Sequence, residues 1–403
     1  MPDIRLSSSR SEGTLRLGLV GLGIAGAGMV AAALRHDRVT LAAAAEPNGV
    51  LRKRFERDHG LPVVADIAEL LVREEIDAVY IATLHQFHRQ HVEMAAAAGK
   101  HIVVEKPMAL TLADCDAMIA AASEAGVVLI VGHTHGFDPA VGQLVQLIGT
   151  GRYGAVSLIA MQNYTNFLYR PRRPEELDVN RGGGILFNQV PYQVDIARTL
   201  DPSEVKLVQA FTTQADPARP VPGACSVLIG FASGASANLL YSGYDRFDTD
   251  EFCGWVGERG EDRTPAHGTT RNMLDEIGEG EAQARVTRYG YGSARYVSPM
   301  NHQPHFGTLI VSCEGADMRP LGNTIQIYDR KGLSEIPLPV PDGTVGRSEV
   351  LNELCGAVLD GKPAPHDGQF GRATVSACLD IQTSAARNAT CLAHAVPQKL
   401  AVR

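Results

Sequence analysis

Twelve residues near the start of the chain restrict its fold more than anything that follows. Leu15 to Val20 is a short apolar run, and Gly21-Leu22-Gly23-Ile24-Ala25-Gly26 follows it directly. A small-residue stretch from Ala27 to Arg35 then reads as a helix. Strand, G-x-G-x-x-G and helix together form the setting in which glycines build a dinucleotide-binding turn. Gly21 permits the tight turn, Gly23 lets the backbone approach a pyrophosphate, and Gly26 allows the helix to pack closely on the strand. The helix start, with Ile24 and Ala25 in its first turn, offers N–H groups and a positive dipole end to phosphates. A second apolar strand, Leu41 to Ala45, ends in Glu46, twenty residues past Gly26. An acidic side chain there accepts hydrogen bonds from ribose hydroxyls and opposes a 2′-phosphate, so NAD is preferred. Arg52 and Arg54 on the next helix leave NADP possible.

The alternation of strand and helix continues through Ile76–Thr83, Phe87–Gly99, His101–Glu105, Thr111–Ala125 and Val127–Gly132. This pattern predicts an α/β fold whose N-terminal part is a Rossmann-type, doubly wound parallel sheet. Ligands bind such sheets at the carboxyl ends of the strands, which selects Thr83, Glu105-Lys106-Pro107 and Gly132 to His135. Past Gly151 the texture is β-rich: 155–163, 205–212, 224–231, 235–241, 306–312 and 324–329. The short spacers predict an α+β domain with a large, mostly antiparallel open sheet. Asp245 to Asn301 reads as a long, Gly-rich and charged excursion, and loops of that length are usually functional or mobile. Two helices follow, 346–359 and 369–386. The expected organisation is a polar tail (1–14), a dinucleotide domain (15–137) and a substrate and oligomerisation domain (138–403), with 345–403 partly packing back on the first. An open sheet face favours a homo-oligomer.

Composition narrows the partners. The 403 residues carry a net charge of −8, with 45% apolar and 20% charged residues, which suits a globular enzyme and argues against nucleic acid. Seven cysteines at irregular spacing read as reduced thiols in a cytoplasmic protein. No segment approaches the length of a membrane span. The His133/His135 pair lacks a third ligand at a sensible spacing, so no metal is expected.

Glu105-Lys106-Pro107, taken with the glycine fingerprint, resembles the Gfo/Idh/MocA oxidoreductases. Thr83 with His88 is similar to that family's Thr-Pro-x-x-x-His segment. Gly182-Gly183-Gly184 through Asp195 is similar to its Gly-Gly-Gly-x-Leu-x-Asp-x-Gly-x-His-x-x-Asp segment, with Asn188, Val190 and Tyr192 in place of Asp, Gly and His. Asn163–Leu177, Gly132–His135 and Pro304–Gly307 with Val311–Ala316 resemble the phthalate 4,5-cis-dihydrodiol dehydrogenases of the family. The resemblance implies NAD(P)-dependent oxidation of a cis-dihydrodiol of an aromatic dicarboxylate, a small-molecule substrate. A sugar or inositol dehydrogenase, or a dinucleotide-binding sensor without catalysis, would use the same fold.

Removing hydride from a secondary alcohol requires a group that takes the hydroxyl proton. On this reading Tyr192 is the acceptor and Lys106 lowers its pKa and holds the substrate oxygen; Lys106 as the base is the close alternative. Asp195, one helical turn on, orients the second hydroxyl or pairs with Lys106. Arg170, Arg172, Arg173 and Arg181 form a cationic run suited to carboxylates. Asn188, His133 and His305 complete the substrate set. Thr83, His88, Glu105 and Lys106 join the glycine turn and Glu46 around the cofactor.

Overall fold

The computed structural model describes residues 13–132, 134–293, 300–341 and 344–393. His133 lies outside them. The first sheet contains β1 (Leu15–Val20), β2 (Val39–Ala45), β3 (Val63–Val64), β4 (Ala78–Ile81), β5 (His101–Val104) and β6 (Leu129–Val131). Their order is β3-β2-β1-β4-β5-β6, all parallel. These strands are apolar almost throughout because helices cover both faces, and β4 is buried at every position. The strand order reverses between β1 and β4, which opens a crevice at their carboxyl ends.

Glycine makes the first turn possible. Gly21 has φ +96°, and a Cβ there would stand 2.7 Å from the Ala82 carbonyl oxygen. At Gly26 a Cβ would stand 1.9 Å from the Gly21 oxygen, so the helix Ile24–Arg35 can sit this close to the turn only without a side chain there.

The second sheet holds β7 (Val156–Tyr164), β8 (Val205–Thr213), β9 (Ala224–Phe231), β10 (Ser236–Ser242), β11 (Thr308–Cys313), β12 (Ala316–Leu321), β13 (Thr324–Asp329), β14 (Gly332–Pro337) and β15 (Cys391–Leu392). Its order is β14-β13-β12-β11-β7-β10-β9-β8-β15. Every pair is antiparallel except β7 with β10, where the chain crosses over. Strands β12 and β14 escape the sequence reading because polar residues interrupt them. One face packs on the helices Pro139–Gly149, Val190–Leu200 and Gly368–Arg387. Strand β9 alternates accordingly, with Cys225, Val227, Ile229 and Phe231 inward. On the other face Leu158, Phe211, Leu228 and Ile310 are exposed.

Near the chain's end, the helix Arg347–Leu359 buries Val350, Leu351, Leu354 and Cys355 in the core of the first sheet. The excursion between β10 and β11 is partly helical, with Thr269–Ile277 and Glu281–Tyr289. Only Thr270 and Leu274 of these helices are buried, too little apolar periodicity to read from sequence. The segment returns to the first sheet, where the Tyr291 N–H donates to the Leu22 carbonyl at 3.0 Å. Among the described residues no helix is long and apolar enough to cross a membrane, and no group of three or more His, Cys, Asp or Glu could hold a metal. The seven cysteines are free.

Candidate active site

A single cavity of about 880 Å³ runs from the glycine turn to the segments that follow β7 and β10. Gly21, Gly23, Ile24, Ala25, Glu46 and Thr83 line one end; Glu105, Lys106, Asn188, Tyr192 and the arginines Arg170, Arg172, Arg173 and Arg181 line the other. The dinucleotide end has the features a bound NAD needs. A Cβ at Gly23 would meet nothing within 4 Å, which leaves open space where a pyrophosphate passes the helix start. Glu46 is held at the end of β2 because its carboxylate accepts from the Leu22 N–H (2.7 Å) and the Asn48 N–H (2.9 Å). Arg52 turns away to the Glu46 and Pro47 carbonyls at 2.6 and 2.8 Å, and Arg54 lies 3.7 Å from Asp58. Neither lines the cavity.

At the other end, β5 delivers Lys106 to the cavity, and the Lys106–Pro107 peptide is cis. The Lys106 ammonium donates to the Asn188 carbonyl at 2.8 Å and lies 4.0 Å over the Tyr192 ring centroid. Burial pulls its pKa down to about 8 against the opposing pull of Glu105 and Glu258. Tyr192 projects from the helix Val190–Leu200, edge-on to His135 with ring centroids 4.8 Å apart and against Phe306 at 4.9 Å. Burial, reinforced by the Glu105 and Glu258 carboxylates, pushes its phenol well above its ordinary value.

The arginine run is mostly neutralised. Glu176 sits among Arg172 (3.3 Å), Arg173 (3.3 Å) and Arg285 (2.8 Å), and these cations overcome its burial to hold it at about 2. Arg172 also donates from Nε and Nη2 to the Phe167 carbonyl. Its own burial, with Arg285 and Arg170 nearby, lowers it to about 9. Arg181 is exposed, 3.7 Å from Asp178. Arg170 differs. Its Nε donates to Asn166 at 2.7 Å, and its Nη2 stands 3.6 Å from Glu258 within the chamber.

Four residues expected at the site do other work. Asp195 is buried behind Tyr192 and outside the main cavity, where its Oδ2 accepts from Thr134 Oγ1 (2.5 Å) and the Gly136 N–H (3.2 Å). Its carboxylate faces the loop after β6, so it holds that loop to the helix instead of meeting Lys106. His88 is fully buried, with one ring nitrogen 3.0 Å from the Pro107 oxygen and the other 3.2 Å from the Thr83 oxygen. It ties the ends of β4 and β5 together and does not line the cavity. His305 lies behind the wall, its ring Nε2 2.9 Å from the Val256 carbonyl oxygen. Asn188 contributes its carbonyl oxygen, while its side-chain amide closes the glycine turn onto Gly182 and Gly184, both at 2.8 Å.

Several lining groups carry no local sequence signal. Glu258 comes from the excursion, and Arg285 and Tyr289 come from its second helix. Arg347 reaches back from the helix Arg347–Leu359 so closely over Gly28 that a Cβ there would stand 2.5 Å from its Nε. That extra glycine in the first helix was the available signal. His135 stood among the strand-end candidates, and here it is clamped by Asp138 at 2.6 Å. Burial opposes its charge, but Asp138 and Glu258 outweigh this and raise it to about 9.

Known proteins resemble this chain in both of its sheets' regions. Residues 15–133 match the oxidoreductase family with an NAD-binding Rossmann fold, and residues 141–263 match the GFO/IDH/MocA C-terminal domain. The chain is 41% identical over 375 residues to the 1-carboxy-3-chloro-3,4-dihydroxycyclohexa-1,5-diene dehydrogenase of Comamonas testosteroni, covering 91% of this chain and 94% of that one. A crystal structure from Bordetella bronchiseptica RB50, assigned as a dehydrogenase, superposes with TM-score 0.91 at 40% identity over 94% of this chain and all of that one. An Agrobacterium radiobacter oxidoreductase solved with NAD+, L-tartaric acid and magnesium shares the fold, with TM-score 0.69 at 17% identity over 94% of this chain and 98% of that one.

Proposed function

Since the chain belongs to the Gfo/Idh/MocA family of NAD-dependent oxidoreductases, we propose that it oxidises a cis-dihydrodiol of an aromatic carboxylate to the dihydroxy aromatic. The phthalate-type dicarboxylate expected from sequence is one case of this class. The observation that carries the reading is the shared cavity: Lys106 and Tyr192 open into the same chamber as the glycine turn, with Arg170 at hand for a carboxylate. When bound, NAD accepts hydride from the ring carbon.

The residues divide the remaining work. Lys106 is the proton acceptor, because at about 8 a useful fraction of its amine is neutral near working pH. Tyr192 stays a phenol and donates a hydrogen bond to the substrate oxygen. This reverses the assignment favoured from sequence, since two nearby carboxylates and burial oppose a phenolate. Lys106 also lies over the ring face, with its hydrogen bond given to the Asn188 carbonyl and not to the phenol oxygen. Asp195 is a positioning residue for the loop carrying His135. The hydroxyketone first formed tautomerises to an aromatic ring, which draws the reaction toward NAD reduction. A homo-oligomer formed through the open face of the second sheet is part of the proposal, supported by the exposed Leu158, Leu228 and Ile310.

The test is formation of reduced cofactor from NAD and a carboxylated ring cis-diol. Turnover of inositol or sugars with no ring diol would transfer the chain to the polyol reading. Biological output unchanged in a Lys106→Ala, Tyr192→Phe double variant that has lost turnover would favour a sensor.

A further inference from the structure

The chamber holds a side chain that neither proton transfer nor the arginine network uses. His85 begins the short turn His85–Phe87 between β4 and the helix His88–Ala97. Its ring lines the cavity and stands edge-on to His88, with centroids 5.7 Å apart. Neither of its nitrogens hydrogen-bonds to a described residue. Burial, with His88, Lys106 and Arg173 nearby, outweighs Glu176 and pulls its pKa well below the ordinary value. The ring is therefore neutral, with one nitrogen a donor and the other an acceptor.

Gly182 links this ring to the proton-transfer pair. A Cβ at Gly182 would stand 3.2 Å from His85 Nδ1, so the ring lies close against that glycine. The Asn188 amide donates to the Gly182 carbonyl at 2.8 Å, and the Asn188 carbonyl takes the Lys106 ammonium at 2.8 Å. Polar neighbours of His85 are already engaged, Thr83 Oγ1 with His91 at 3.0 Å and Arg173 with Glu176 at 3.3 Å. Asp195, offered by the sequence for the second hydroxyl, is bonded to Thr134 and Gly136 outside the main cavity.

We propose that His85 binds the second hydroxyl of the diol, the one Lys106 does not deprotonate, and so selects vicinal diols over simple ring alcohols. The inference rests on the ring-diol reading above and names the group that recognises the diol. A hydroxyl donates and accepts, and a neutral imidazole complements either role. A ligand without that hydroxyl leaves a partly buried ring nitrogen unpaired, which is how a polar site rejects the smaller analogue.

The experiment titrates the full-length protein, saturated with NAD, with 3,4-dihydroxybenzoate, 3-hydroxybenzoate and 4-hydroxybenzoate by calorimetry. Wild type should bind the dihydroxy acid about tenfold or more tightly than either monohydroxy acid. His85→Phe keeps a flat ring, loses both nitrogens and should weaken the dihydroxy acid about tenfold. The monohydroxy acid whose hydroxyl meets His85 should weaken with it, and the other should keep its affinity. NAD should bind the variant as it binds wild type. Should His85→Phe melt well below wild type, His85→Leu is read in its place with the same expectations. All three acids weakened alike, none weakened, or NAD weakened as much as the dihydroxy acid overturns the proposal. So does a wild type that binds the dihydroxy acid no better than both monohydroxy acids. If ring diols are turned over and any of these results appears, this inference alone falls. If only polyols are turned over, the ring-diol reading falls and takes it along.

Discussion

Lys106 lies on the face of the Tyr192 ring, its ammonium 4.0 Å from the centroid, and its hydrogen bond goes to the Asn188 carbonyl at 2.8 Å. A cation over the ring face is attracted by the ring's quadrupole, and its hydrogen bond is committed to the backbone, not to the phenol oxygen. The pair therefore separates its duties, with a proton-accepting amine and a hydrogen-bonding phenol.

The pH profile follows from that separation. Lys106 must be neutral to accept a proton, so kcat/KM rises with pH up to about 8 and is level above it. Lys106→Met removes the rising limb and lowers kcat by roughly 10²–10⁴-fold. Tyr192→Phe loses one hydrogen bond, roughly a 10–100-fold effect, and keeps the limb. Loss of the limb in Tyr192→Phe would make the phenol the base.

Two glycines of one motif should fail differently. In Gly26→Ala the new Cβ would stand 1.9 Å from a backbone oxygen, so the fold loses about 3 kcal/mol or more by chemical denaturation. In Gly23→Ala the Cβ meets no protein atom within 4 Å, so the melting curve is unchanged. NAD binding by calorimetry weakens about tenfold there, because the methyl occupies space the pyrophosphate needs.

Glu176 is the structural anion of the arginine run. Glu176→Gln leaves Arg172 and Arg285 buried without a full counter-charge and costs about 3–5 kcal/mol in denaturant unfolding. Because its folded pKa is lowered from 4.5 to about 2, its contribution is present above 4.5 and is lost as pH falls toward about 2. The stability gap between wild type and Glu176→Gln should narrow across that window. A gap independent of pH would mean that the carboxylate charge is not what holds the arginines.

The sheet face gives a hydrodynamic prediction. Ile310 and Leu228 lie in one cross-strand row, reached through Ala160 of β7 and Asn238 of β10, and both are exposed. Ile310→Asp with Leu228→Asp should sediment as a monomer, against an oligomer for wild type. A wild-type monomer at micromolar concentration would sink the assembly reading.

The first sheet was readable from the chain in order, since its glycine turn, apolar strands and Glu46 are local patterns whose spacing alone reflects backbone sterics and burial on both faces. Lys106 was found because a strand end is a position along the chain as well as a place in space. Tyr192 came from the resemblance of its segment to the family's, and Arg170 from the cationic run that precedes it. Glu258, Arg285 and Arg347 were not legible: each reaches the cavity from a distant segment, and no spacing rule links it to Lys106. Nor could the sequence separate Arg170, whose carboxylate neighbour is the distant Glu258 at 3.6 Å, from Arg172 and Arg173, which the local Glu176 holds at 3.3 Å. The roles of Asp195, His88 and His305 changed for the same reason. A residue's type announces that it can bond, but the folded neighbours fix which partner it meets, and burial and nearby charge then set its protonation.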